Sequence, residues 1–255
     1  MFGGLRRQIR RLRKTPSVLF RSEPDPRELL EASRRYDPGA EPVDDGIRLS
    51  TGRLLRGPVE LAPEQSTGAR IPAGWYFALL AEGGTKGPDP IVTGLARALD
   101  GSPHLADPVN FGHPDDPVTA VYTAKAIDPA TVGDLVSARL PGARITGKDR
   151  KFYGFTAADD DEPLLLAFDA TVSAKPRRRR STNGQFPAVR HLGETVYRCS
   201  VHLTDDTTTL HQTRLRRAGE LALALAEATG GVALDVCGFR LGSPDDVDYR
   251  EFATQ

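Results

Sequence analysis

The chain is poor in the residues that usually announce a mechanism. It has two cysteines in 255 residues, Cys199 and Cys237, which is too few for a disulfide framework. Both fall in apolar stretches and are expected as buried, reduced thiols. No run approaches 18 apolar residues, so no membrane-spanning helix is expected. The Arg6-Arg7 pair lacks the apolar stretch that an export signal needs after it. No GxSxG serine motif occurs, and no GxxxxGK[ST] phosphate loop. These absences point to a cytoplasmic protein, with peripheral membrane attachment as a further option, and to no cofactor. Lysine is scarce beside arginine, 6 against 28, which reflects base-composition bias more than chemistry. Net charge is absent too, but its parts are segregated. Arg6, Arg7, Arg10, Arg11, Arg13 and Lys14 give residues 1–14 a charge of +6, so a formal total of zero leaves −6 for the rest.

What is present is an ordinary globular composition, 39% hydrophobic and 27% charged, long enough for one large domain or two modest ones. The clearest pattern runs from Thr195 to Leu241. Tyr197, Cys199, Val201 and Leu203 alternate with Arg198, Ser200 and His202, the period of a half-buried strand. Asp205 and Asp206 can cap a following helix. On it His211, Leu215, Ala218, Leu221, Ala222 and Leu225 form an apolar stripe, with Arg214, Arg216, Arg217 and Glu220 on the flanks and far side. Gly230 and Gly231 stop the helix, and an apolar run from Val232 to Phe239 reads as a strand covered on both faces. The two strands are expected parallel and in one sheet. The Thr229-Gly230-Gly231, apolar, Asp235 pattern resembles bacterial α+β domains and implies no activity.

Elsewhere, Phe2, Leu5, Ile9 and Leu12 at helical spacing make residues 1–14 a short basic amphipathic helix. Asp25-Pro26 opens a second helix, ended by Tyr36-Asp37-Pro38-Gly39. Asp89-Pro90 and Asp128-Pro129 open two more, because Asp caps free amides and Pro fits the first turn, so these carboxylates read as structural. Residues 47–62 look extended and irregular. Residues 75–81, 118–126, 144–146, 152–156 and 163–172 read as strands, the last two as a hairpin across the acidic tip Asp159–Glu162. A capped turn begins at Ser243-Pro244. Strand–helix–strand thus recurs around 75–110, 118–146 and 195–241. The expected class is α+β, a mixed α/β arrangement of helices on a mixed sheet, with division into two halves left open. The composition shift at 174–194 marks the candidate boundary. It divides a basic segment (1–14), an N-terminal α/β region (15–173), the basic loop and a C-terminal unit (195–255).

Several residues are candidates for chemistry. His191, Cys199, His202, His211, Asp235 and Cys237 have the right types for zinc. Cys199 and His202, however, are an odd number apart on a strand and point to opposite faces, so no metal site is expected. Cys237 with a histidine lacks the cationic or helix-start setting of a reactive thiol. The Gly83–Gly87 stretch places Lys86 before the last glycine and Asp89 where a phosphate would sit, so a turn is favoured. The four acids of the tip lack the EF-hand pattern.

Asp235, between two apolar residues, needs a partner. It is either a perturbed acid at a site with His202 or His211, or a structural partner of an arginine such as Arg198 or Arg240; the structural role is favoured. Arg177, Arg178, Arg179 and Arg180, beside Lys175, can grip phosphates or guard an edge against aggregation. Residues 1–14 either dock on their own domain or meet an anionic membrane or nucleic acid. The expected function is a non-catalytic binding, adaptor or accessory protein working through a protein partner. The alternatives are a hydrolase using Asp235 with His202 or His211, and a peripheral membrane or nucleic-acid associate.

Overall fold

The computed structural model describes residues 2–83, 89–106, 117–139, 144–148, 152–156, 164–168, 172–173, 186–203 and 212–247. It is an α+β protein with two antiparallel sheets in two compact units, divided between Asn110 and Phe111.

The first unit runs α1 (Phe2–Leu12), β1 (Ser17–Phe20), α2 (Pro26–Tyr36), β2 (Glu41–Val43), β3 (Gly46–Arg48), β4 (Leu54–Glu60), α3 (Pro63–Ala69), β5 (Phe77–Glu82), α4 (Pro90–Ala98) and β6 (Ser102–His104). Its sheet has the order β2-β3-β4-β5-β1-β6. The expected Asp caps are in place, with the Asp25 carboxylate accepting from Arg27 N and that of Asp89 from Val92 N. The apolar alternation decides which helix covers which face. Leu19, Ala78 and Leu80 join Leu12 of α1 and Ala69 of α3 in one cluster. Val18, Leu79 and Ala81 alternate to the opposite face, and α4 lies against β1 and beside α2.

The second unit runs β7 (Thr119–Thr123), α5 (Pro129–Arg139), β8 (Arg144–Lys148), β9 (Phe152–Thr156), β10 (Leu164–Phe168), β11 (Val172–Ser173), a 3-10 turn (Pro187–Leu192), β12 (Thr195–Leu203), α6 (Gln212–Thr229), β13 (Val232–Asp235) and a second 3-10 turn (Pro244–Asp246). The sheet order is β13-β7-β12-β10-β9-β8, with β11 on β12. Val121, Cys199, Val201 and Ala233 face the stripe Leu215, Ala218, Leu221, Ala222 and Leu225 of α6. Ala120, Tyr122, Val196 and Leu234 face Ala188 and Val189 of the first 3-10 turn.

The two units repeat one topology. In each, a central strand is followed by a helix, a three-strand meander, a helical segment, a strand, a helix and an edge strand, the second unit adding the short β11 after its meander. The spatial order is β6-β1-β5-β4-β3-β2 in one and β13-β7-β12-β10-β9-β8 in the other. The registers correspond as well. Leu19 lies opposite Ala78 and Ser102, as Tyr122 lies opposite Arg198 and Val232. Each edge strand follows a glycine pressed on the central strand. A Cβ on Gly101 would lie 2.8 Å from Leu19 O, and one on Gly231 2.6 Å from Tyr122 O. Helix α1 has no counterpart among the described residues of the second unit.

Several expectations change in detail. The crossover strands β12 and β13 are parallel to each other and in one sheet, but β7 lies between them, antiparallel to both. The same holds for β5 and β6 around β1, so every recorded pairing is antiparallel and the sheets are not mixed. Residues 174–194 fall within the second unit, and the division between units falls near 110. The strand at Val232 ends at Asp235, leaving Cys237 in the turn beyond it. Arg214, placed on the solvated flank from its charge, is buried. Asp205, Asp206, His211, the tip 159–162 and residues 175–180 lie outside the described residues.

Candidate functional site

Among the described residues, the candidates Asp235 and His202 do not come together on one face. His202 lies opposite Leu165 on β12, and Asp235 lies opposite Thr119, which in turn lies opposite Val201. Neighbours in one row share a face, and adjacent residues of a strand do not. Asp235 therefore lies on the α6 side of the sheet and His202 on the side of the 3-10 turn. Asp235 closes the turn after β13. Its Oδ1 accepts from Phe239 N at 2.8 Å, and its own N–H donates to Phe239 O at 2.9 Å. Arg240 donates to Ala188 O at 2.8 Å, with His191 Nδ1 3.2 Å away, and burial lowers its guanidinium below the usual value. Cys199 and Cys237 are reduced thiols, not joined in a disulfide, and fully buried, on a strand and in a turn. Among the described residues no group of three metal-ligating side chains converges.

The first unit holds charged pairs that sequence spacing could not foresee. Arg53 forks onto Asp89, with Nη1 at 3.0 Å from Oδ1 and Nη2 on Oδ2, and the carboxylate is only 3% exposed. Glu82 receives Arg56, at 3.3 and 3.4 Å, together with Arg11 of α1, and Arg56 also pairs with Asp45. Burial, and then the adjacent Arg56, holds the Arg11 guanidinium below its usual value. Asp37, 1% exposed, accepts from Gly39 N, Ser50 N and Ser50 Oγ at 2.8–3.0 Å. These partners lie 11 to 71 residues away in sequence for all but Gly39, and only the sheet brings them together.

Helix α1 is the element that is built onto the domain and yet left open on one side. Leu12 is buried beside Leu19, Leu61 and Ile71. Gln8 Oε1 accepts from Gln65 Nε2 at 2.7 Å, and Gln65 Oε1 in turn accepts from Ala62 N. Ile9 rides over Gly68, where a Cβ would meet its Cδ1 at 2.7 Å. The inner side is thus Gln8, Ile9, Leu12 and the paired Arg11. At 100° per residue, continued through the closing turn in which Arg13 N donates to Ile9 O, Arg6, Arg7, Arg10, Arg13 and Lys14 fall within an arc of about 120° on the other side. All five are exposed. Unlike Arg11, they meet no carboxylate of the described residues. The helix carries no acid in its first turn to offset them. Two bonds from Lys14 and Thr15 to Arg11 O close the helix, and Ala81 N donating to Pro16 O ties the chain to β5. These contacts fix the helix on the first unit.

Comparison with protein-family models, curated proteins and solved structures found no match for this chain. The functional reading therefore rests on the geometry alone.

Proposed function

We propose that this is a non-catalytic binding or adaptor protein that meets its partner through the outer face of α1. The carrying observation is the division of that helix. Ile9, Leu12, Gln8 and Arg11 are engaged by the first unit, while Arg6, Arg7, Arg10, Arg13 and Lys14 are presented together with no internal counter-charge. Like charges at spacings of three and four along a helix cost about 0.2–0.5 kcal/mol each. Arg10 forms four such pairs, with Arg6, Arg7, Arg13 and Lys14. A binding surface gives that unrelieved repulsion a use, because an anionic partner removes it. A cytoplasmic location belongs to the same reading, since the two buried cysteines are thiols and not a disulfide.

The test is retention of the full chain on immobilised heparin, as a generic polyanion, in a rising salt gradient. Wild type should elute well above the variant in which all five cations become Gln; co-elution would sink the reading. The hydrolase alternative has less support, because Asp235 and His202 lie on opposite faces of the sheet and Asp235 is bonded into its own turn. Turnover of simple ester, amide or phosphoester substrates, abolished by Asp235→Ala, would revive it.

A further inference from the structure

Resting on that reading, we infer that the outer face of α1 is a site for the phosphate backbone of duplex nucleic acid, bound without regard to base sequence. Four of its five cations are arginines, whose planar guanidinium forks match phosphate oxygens two at a time. From Arg6 to Lys14 the face runs about 12 Å, at 1.5 Å per residue. A duplex presents one charge per roughly 1.7 Å of axis, so phosphates of both strands lie within that reach. The face offers cations and no apolar or aromatic centre. Protein interfaces are depleted of charge at their core and anchored there by apolar and aromatic side chains, so an acidic protein fits this face less well.

A bilayer also fits less well. An amphipathic helix holds a membrane by burying its apolar side, with charge as the second signal. Ile9 and Leu12 are already turned onto Gly68 and the sheet. The helix is docked before any ligand arrives, so binding orders only side chains, which favours a backbone contact of modest size. The face carries no Asn, Gln or acid to read adenine or cytosine edges, so its cations are assigned to phosphates.

The test is fluorescence anisotropy of a labelled mixed-sequence duplex of 25 base pairs with the full chain, from 50 to 200 mM NaCl. Releasing counterions from five phosphates predicts a slope of log K on log salt of about −4.5, a fall in affinity of roughly 500-fold across that range. A second duplex of unrelated sequence should bind equally. Arg10→Gln should reduce the slope by about one. The five-Gln variant, shown to be folded by its circular dichroism, should lose binding. A slope shallower than about −2, or an unchanged five-Gln variant, overturns the assignment. Parallel arms use vesicles with 30% phosphatidylserine, and polyglutamate. Retention there without duplex binding overturns the nucleic-acid assignment but leaves the binding reading standing. Failure to bind any of the three polyanions overturns both.

Discussion

Replacing Asp89 by Asn isolates a deeply buried ion pair of the first unit. Asn occupies the same volume and caps helices as well as Asp, so the start of α4 keeps its side-chain acceptor. What disappears is the charge facing Arg53, whose side chain is 17% exposed against 3% for Asp89. Removing one partner of a buried pair typically costs about 3–5 kcal/mol, because the other charge stays desolvated. Water reaches the guanidinium in part, so the expected loss is about 2–4 kcal/mol. Trp75 is the only tryptophan and packs on the core of the same unit, so its fluorescence in a urea titration follows this unit and not the other. The midpoint should fall with little change in slope. The double variant Arg53→Met with Asp89→Asn should recover most of the loss, since no orphaned charge remains. A single-variant loss below about 1 kcal/mol would refute the claim that this carboxylate is structural. It would reopen the glycine-rich stretch before it as an anion site.

The remaining predictions concern the repeat, α5 and the thiols. Gly101→Ala and Gly231→Ala press a methyl onto a carbonyl of the central strand, at 2.8 Å from Leu19 O and 2.6 Å from Tyr122 O. Each should lose about 1–3 kcal/mol in denaturant titrations, and one tolerated substitution would break the equivalence of the two units. Gly133→Ala, inside α5 with nothing within 4 Å of the new Cβ, should raise stability by about 0.5–1 kcal/mol. A loss there by thermal melt contradicts the position given to α5. Cys199 and Cys237 should resist a thiol reagent in the native protein and react fully in urea. Rapid native labelling of either would contradict its burial.

The elements that carry a strong local signal were legible in the sequence. Thr195–Leu203 alternates because one of its faces meets α6 and the other the 3-10 turn, and the strand has the bounds the alternation suggests. Asp25, Asp89 and Asp128 cap helices because carboxylate and amide are only two or three residues apart. What stayed hidden depends on distant partners. Helix α3 escapes notice because Ala62 has no capping side chain, and the distant Gln8 braces Gln65 instead. Arg214 looked solvated because charge is a weak guide to burial when a long side chain can fold under a turn. The doubling of the fold leaves no trace a composition scan can find, since Leu19 and Tyr122, or Ala78 and Arg198, share places in the sheet without sharing chemistry. For the candidate surface, the basic stripe was visible at once. That Arg11 belongs to its inner edge became visible only with Glu82 and Arg56 in place.

Amide hydrogen exchange of the full chain, with and without a saturating polyanion, bears most directly on the account. Slowed exchange concentrated between residues 6 and 14, absent from the five-Gln variant, is the predicted result. Protection centred instead on the turn at Asp235 or on His202, with α1 unchanged, would contradict it.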